Sequence, residues 1–199
     1  MNVNYKYKLK PFDHQVTALE QGWDRPEFGY FMEMGTGKSK VLIDNIGMLF
    51  LEGKINFALV IAPKGVYRNW VAKEIPEHMS NEVPHRVIRW VSGGTKKQQA
   101  EVQSVKEPFA GLTIFVMNVE AFSTPRGTEA AEAFLFQNPD NMIIVDESTT
   151  IKNRKAQRTK NIVKLRDRAK YRRILTGSPI TKSPMDLFSQ CDLLNEKCL

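Results

Sequence analysis

The stretch "MEMGTGKSK" (residues 32–40) contains the residue types that hold phosphate. Gly35 and Gly37 let the backbone turn sharply and approach an anion closely, with Thr36 between them. Backbone N–H groups and the N-terminus of a following helix would then face the phosphates. Lys38 is placed as the point charge for the β- and γ-phosphates, and Ser39 offers a hydroxyl to Mg²⁺. The general pattern asks for glycine five places before Gly37, where this chain has Met32. Read alone, the stretch could also be a glycine-rich turn with a fortuitous Gly-Lys-Ser.

A site that hydrolyses nucleotide needs a carboxylate for the metal, delivered by another strand. "IIVDES" (residues 143–148) fits, because the apolar "MIIV" would bring Asp146 and Glu147 to a strand's carboxyl end. Asp146 would hold Mg²⁺ through water, and Glu147 would orient the attacking water. A polar turn after a strand has the same composition. The pair gains weight from lying downstream of the phosphate loop.

Such residues need a scaffold. "FALVIA" (57–62), "TIFVM" (113–117), "MIIV" (142–145) and "RILT" (173–176) read as strands buried on both faces, with "YFM" (30–32) and "VIRWV" (87–91) as two more. Helices are expected over 13–23, 38–51, 66–74, 95–106, 128–137, 156–169 and 184–194. Val41, Leu42, Ile46 and Leu49 would form the apolar stripe of the second, and Val163 and Ala169 would face inward in the sixth. Strand and helix in alternation predict an α/β fold with a mostly parallel, doubly wound sheet and helices on both faces. Ligands in that architecture sit at the carboxyl ends of the strands.

With 199 residues, 42% hydrophobic and 26% charged, the chain suits one globular domain with a real core. It contains no apolar run long enough to span a bilayer and no secretory leader, so no membrane partner is expected. Cys191 and Cys198 match no zinc spacing, and His14, His78 and His85 are scattered, so no structural metal is expected and a reduced, cytoplasmic protein is. The net charge of +7 is unevenly placed: residues 151–173 carry eleven Lys or Arg against Asp167 alone, so the rest of the chain is slightly acidic. A polyanion partner and a solvated helix face are both open readings of that segment.

In order along the chain, "LKPFDHQVTAL" (9–19), "MEMGTGKS" (32–39), "LVIAPKGVYRNWVAKEI" (59–75), "VDEST" (145–149) with "IKN" (151–153), "ILTGSPI" (174–180) and "MDLFSQCDLL" (185–194) resemble the motifs of superfamily 2 helicase-like ATPases, specifically the Swi/Snf-like branch. The family form "DEMGLGKT" accounts for Met32 and Met34. The resemblance covers nearly the whole chain and implies a RecA-like fold of the P-loop NTPase type, with ATP and Mg²⁺ as ligands. It implies that Gln15 reads adenine with Phe12 nearby, and that Gly35, Thr36, Gly37, Lys38 and Ser39 hold the phosphates. Ser39 and Asp146 would serve the metal, and Lys38, Asp146 and Glu147 the chemistry.

It further implies DNA along the backbone, with little sequence preference, at Lys64, Gly65, Arg68, Asn118 and Lys152. Lys152, Arg154 and Lys155 would be the DNA-facing part of the basic segment. Thr176, Gly177 and Ser178 would couple the acidic box to DNA. The box ends in Thr149 where many relatives carry His or Asp, which leaves that coupling open. Trp70 is expected to pack in the core.

The resemblance implies a protein of two RecA-like lobes, with residues 1–199 expected to form the first. A second lobe, in cis or trans, would supply the arginine fingers, and the isolated lobe is expected to hydrolyse ATP slowly or not at all. Three function classes follow: a motor lobe, a nucleotide-binding switch without efficient hydrolysis, and a nucleic-acid-binding module with an idle loop. The compact motif spacing would suit a phage or bacterial enzyme.

Overall fold

Alternate residues of the central apolar runs feed two different cores. In "FALVIA", Ala58, Val60 and Ala62 face one core, and Leu59 and Ile61 the other; Met142 and Ile144 divide from Ile143 and Val145 in the same way. This is the period-two geometry of a strand covered on both faces. The computed structural model describes residues 3–197, so Cys198 lies outside the described residues.

Among the described residues six strands form one sheet: β1 (Glu27–Phe31), β2 (Phe57–Ala62), β3 (His85–Arg89), β4 (Leu112–Asn118), β5 (Asn141–Asp146) and β6 (Tyr171–Thr176). All neighbours are parallel, in the order β1-β6-β5-β2-β4-β3. The expected α/β architecture is therefore observed. The first and third strands begin earlier than their apolar runs suggest, because residues 27–29 and 85–86 ahead of those runs also pair with a neighbour strand.

One face carries α1 (Asp13–Gly22), α2 (Lys38–Leu51), α3 (Tyr67–Asn69) and α4 (Ile75–His78), anchored by Leu19, Ile46, Trp70 and Ile75. The other face carries α5 (Lys96–Gln103), α6 (Pro125–Gln137), α7 (Gln157–Lys164) and α8 (Phe188–Leu194). Three helix expectations need correction. The helix α2 is buried all round from Lys40 to Leu49 rather than along one stripe, because the segment before α1 covers its outer side: Tyr5 Oη donates to Asp44 Oδ1 at 2.9 Å. The helix predicted over 66–74 runs on to His78 through a π-helical turn, Trp70–Glu74. Pro76 follows directly on that π turn, in the first turn of α4. In α7 the fully buried side chains are Thr159 and Ile162; Val163 is only half-buried, and Ala169 is buried beyond the helix end.

The basic segment also resolves. Arg166 pairs with Asp167, Asp192 and Glu196, Lys170 with Asp140, and Arg172 with Glu27. Arg173 is fully buried, bonded to Asn45 Oδ1 and to the carbonyls of Gly22, Trp23 and Pro26. Its cation closes the carbonyl end of α1, where positive charge is favoured. The half of the segment from residue 166 to 173 thus serves the fold.

Candidate active site

Strand register brings the two chemical motifs together. Phe31, the last residue of β1, pairs with Thr176, and Asp146 at the end of β5 pairs with Leu175 on the strand between them. The phosphate loop, the acidic box and the Thr176–Ser178 turn therefore leave one edge of the sheet side by side. Met32 N–H still donates to Thr176 O at 3.2 Å, so the loop begins as an extension of the ladder.

Gly35 and Gly37 both have left-handed backbone, with φ of +79° and +80°. The left-handed φ favours glycine at Gly37, and a Cβ there would lie 2.3 Å from Gln15 Nε2 and displace that amide. Gln15 is buried and clamps this loop: its Oε1 accepts from Phe12 N–H and its Nε2 donates to Thr36 O, each at 3.0 Å. Lys38 Nζ donates to Met32 O and Glu33 O at 3.0 Å each. Among the described residues no carboxylate pairs with that ammonium, which is held by the loop's own carbonyls. Ser39 follows on the first turn of α2, half-buried.

Asp146 is 9% exposed. Its Oδ2 accepts from Trp70 Nε1 at 2.8 Å and its Oδ1 from Glu147 N–H at 2.9 Å. Burial pushes its carboxyl above the usual range; those two donors pull it back, and the Glu147 charge adds to the rise. Trp70 is in the core, as expected, but no local sequence signal points to its bond with Asp146.

Glu147 adopts left-handed backbone (φ 48°, ψ 64°), alone among the described non-glycine residues. That conformation costs about 1–2 kcal/mol. Its Oε1 accepts from Thr149 Oγ1 at 3.0 Å and from Thr176 Oγ1 at 2.7 Å. Thr149 therefore does reach the box's second acid. Thr176 Oγ1 in turn accepts from Ser178 N–H at 3.2 Å. A Cβ on Gly177 would meet Met34 Cγ at 3.2 Å and Met34 N at 3.3 Å, so this turn abuts the phosphate loop. Gln190 staples the arrangement from α8: it accepts from Ser148 Oγ at 2.6 Å and donates to Pro179 O at 2.8 Å.

The donor set suits Mg²⁺ carried with a nucleotide: the buried Asp146 carboxylate, the Ser39 hydroxyl on the turn that follows the loop, and the Lys38 ammonium, which no carboxylate among the described residues pairs with. Hard oxygen ligands completed by substrate phosphates are the usual Mg²⁺ arrangement. Among the described residues no cluster of three or more His, Cys, Asp or Glu forms a protein-only metal cage.

A cavity of about 350 Å³ adjoins the loop, lined in part by Phe12, His14, Gln15, Gly35 and Gly37. The Phe12 and His14 rings stack there with centroids 5.8 Å apart, and Phe12 is 70% exposed. A second cavity, about 300 Å³, lies between α5 and α6 around Trp90 and Phe134 and shares no residue with this site.

The residues assigned to nucleic acid occupy the neighbouring part of the same edge. Lys64, Gly65 and Arg68 are exposed after β2. Asn118 ends β4, paired in register with Ala62. Its Oδ1 accepts from Ala121 N–H at 2.9 Å, so half of its amide caps the following turn. Lys152 is half-buried and donates to Thr181 Oγ1.

A model of the SNF2-related domain matches residues 30–199. The chain belongs to this family. It is 24% identical over 162 residues to the ATP-dependent helicase FUN30 of Saccharomyces cerevisiae and 27% identical over 165 residues to the DNA annealing helicase and endonuclease ZRANB3 of Bos taurus. Those matches cover 81% of this chain but only 13% and 14% of the relatives' lengths. Among solved structures it is similar to the Sulfolobus solfataricus SWI2/SNF2 ATPase core in complex with double-stranded DNA: TM-score 0.73, 20% identity, 97% of this chain and 37% of that one. The UvsW helicase of bacteriophage T4 aligns over 94% of this chain and 58% of that one, with TM-score 0.64 and 13% identity. At these identities the structural likeness establishes the fold of this SNF2-related lobe. Among its described residues no helix is long and apolar enough to cross a membrane.

Proposed function

We propose that this SNF2-related lobe binds ATP with Mg²⁺ and belongs to a DNA-dependent ATPase that moves on duplex DNA when a second RecA-like lobe, in cis or trans, completes the site. One observation carries the reading. The loop ammonium of Lys38, the buried Asp146 and the Glu147–Thr176 bond meet at one edge of three adjacent strands.

Each residue has a task in this reading. Loop N–H groups and Lys38 bind the phosphates, with Lys38 exchanging its carbonyl partners for phosphate oxygens. Ser39 and Asp146 hold the metal, which neutralises phosphate charge when bound. Glu147, fixed by Thr149 and Thr176, orients water. Gln15 keeps one amide hydrogen and one lone pair beyond its loop bonds, enough to read an adenine edge beside Phe12. Lys64, Gly65 and Arg68 contact phosphates of the DNA, with the Asn118 amide beside them and Lys152 further along. The double-stranded DNA bound to the Sulfolobus ATPase core, whose fold this lobe shares, supports this partner.

The test is nucleotide binding by the 199-residue chain and its Lys38→Ala variant. The wild type should bind ATP with Mg²⁺, and the variant should lose at least tenfold. Equal affinity in the two, with DNA binding unaffected by nucleotide, would instead make this a nucleic-acid-binding module with an idle loop. Turnover by the chain alone at ordinary enzyme rates would refute the need for a second lobe.

A further inference from the structure

We propose that Trp70 is a positioning residue for Asp146, joining the helix that carries Arg68 to the metal-holding carboxylate. The inference rests on the nucleotide-site reading above. Trp70 is the largest fully buried side chain among the described residues, and a buried indole N–H needs an acceptor. A backbone carbonyl would satisfy it. Instead it takes Asp146 Oδ2, 76 residues away, at 2.8 Å.

With Oδ1 held by the Glu147 N–H, both carboxylate oxygens have a donor from the protein. The carboxylate's orientation, and so the direction of its remaining lone pairs, is set by the place of the Trp70 ring. That place is set by the π-helical turn, in which Ile75 N–H reaches back to Trp70 O. A π turn inserts one residue into a helix and re-aims the side chains on either side of it. The same short helix begins after the Lys64–Gly65 loop, and its Arg68, two residues before Trp70, is exposed. A phosphate backbone that pulls on Lys64 and Arg68 would pull on the indole and hence on the carboxylate.

The experiment measures binding of a fluorescent ATP analogue to the 199-residue chain with Mg²⁺ and with EDTA. Groups that orient a metal ligand typically control about 10–100-fold in metal affinity. Trp70→Phe should therefore weaken the Mg²⁺-dependent affinity about tenfold and leave the metal-free affinity within about twofold. In an Asp146→Asn background, Trp70→Phe should have no further effect on the Mg²⁺ dependence. A purely structural role would lower both affinities together, and that result overturns the proposal.

Should Trp70→Phe fail to fold, the wild type still decides. The chain has three tryptophans, so its indole N–H signals can be assigned by NMR with Trp23→Phe and Trp90→Phe. The Trp70 signal should shift when Mg²⁺ joins bound nucleotide, and again with duplex DNA. No response to Mg²⁺ overturns the positioning role, and a response to Mg²⁺ without one to DNA overturns the link to the helix. If the wild type shows no Mg²⁺-dependent binding at all, the functional reading itself falls and takes this inference with it.

Discussion

Two threonine hydroxyls share one oxygen of Glu147, and their unequal surroundings predict unequal costs. Thr176 is fully buried, donates to Glu147 Oε1 at 2.7 Å and accepts from Ser178 N–H. Thr149 is half-buried and makes only the bond to Oε1, at 3.0 Å. Valine keeps the threonine shape and removes the hydroxyl. A hydrogen bond to a charged group contributes about 1.5–3 kcal/mol, and a stranded buried donor costs about 1–3 kcal/mol. Thr176→Val should therefore cost about 3 kcal/mol, and Thr149→Val, partly screened by water, about 1 kcal/mol. Each single variant leaves Oε1 one donor, whereas the double variant leaves it none. The double variant should then exceed the sum by about 1 kcal/mol. Urea unfolding of the four proteins measures this cycle. For a chain of this length, about 3 kcal/mol corresponds to a fall in melting temperature of about 6–12 °C. If Thr176→Val lies within about 0.5 kcal/mol of the wild type, or Thr149→Val costs more, the bonding at Glu147 has been misread.

Gly37→Ala places a methyl 2.3 Å from Gln15 Nε2 on a backbone with φ +80°; nucleotide affinity should fall at least tenfold, and an unchanged binding isotherm would refute the steric account. Burial pushes the Tyr30 phenol up to about 12, so the unfolded chain loses that proton first as pH rises above about 10. Stability should fall between those pH values by roughly 1.4 kcal/mol per unit from this group, and Tyr30→Phe should flatten part of that slope in alkaline unfolding curves. Lys64→Ala and Arg68→Ala should each lower the salt slope of duplex DNA binding by about 1; a slope that stays the same removes them from the phosphate track.

The strands and most helices were legible because burial on both faces leaves near-continuous apolar runs, and because capping and spacing mark the helices. Thr95, for example, accepts from Gln98 N–H and starts α5 one residue after its cap. What could not be read arises from contacts between distant residues. Trp70 carries the signature of a core residue, and nothing local shows that its N–H ends on Asp146. Arg173 looks like one more member of a basic run, yet pairing across β1 and β5 turns it inward to the end of α1. Gln190 lies within a motif that names a helix and no contact. The signal for Thr149 and Thr176 was their order in the family's motifs, which carries neither the shared oxygen nor the left-handed backbone at Glu147.

In the proposed reading, strand order, which no linear motif spells out, keeps the nucleotide site and the DNA track apart and still connected. β1, β6 and β5 are neighbours, and their carboxyl ends carry the phosphate loop, the Thr176 turn and the acidic box. β2 and β4 are the next pair, and their ends carry Lys64 and Asn118. Strands lie about 4.8 Å apart, so the two groups are separated by one strand spacing at the β5–β2 boundary. Side chains that cross that boundary can sense both halves. Trp70 does so, reaching from the helix after β2 to the last residue of β5. Asn118 does not, since its oxygen caps its own loop. Communication between DNA and nucleotide within this lobe is therefore expected to depend on the Trp70–Asp146 contact more than on any residue of β4, and Asn118→Ala should lower DNA affinity without changing the Mg²⁺ dependence of nucleotide binding.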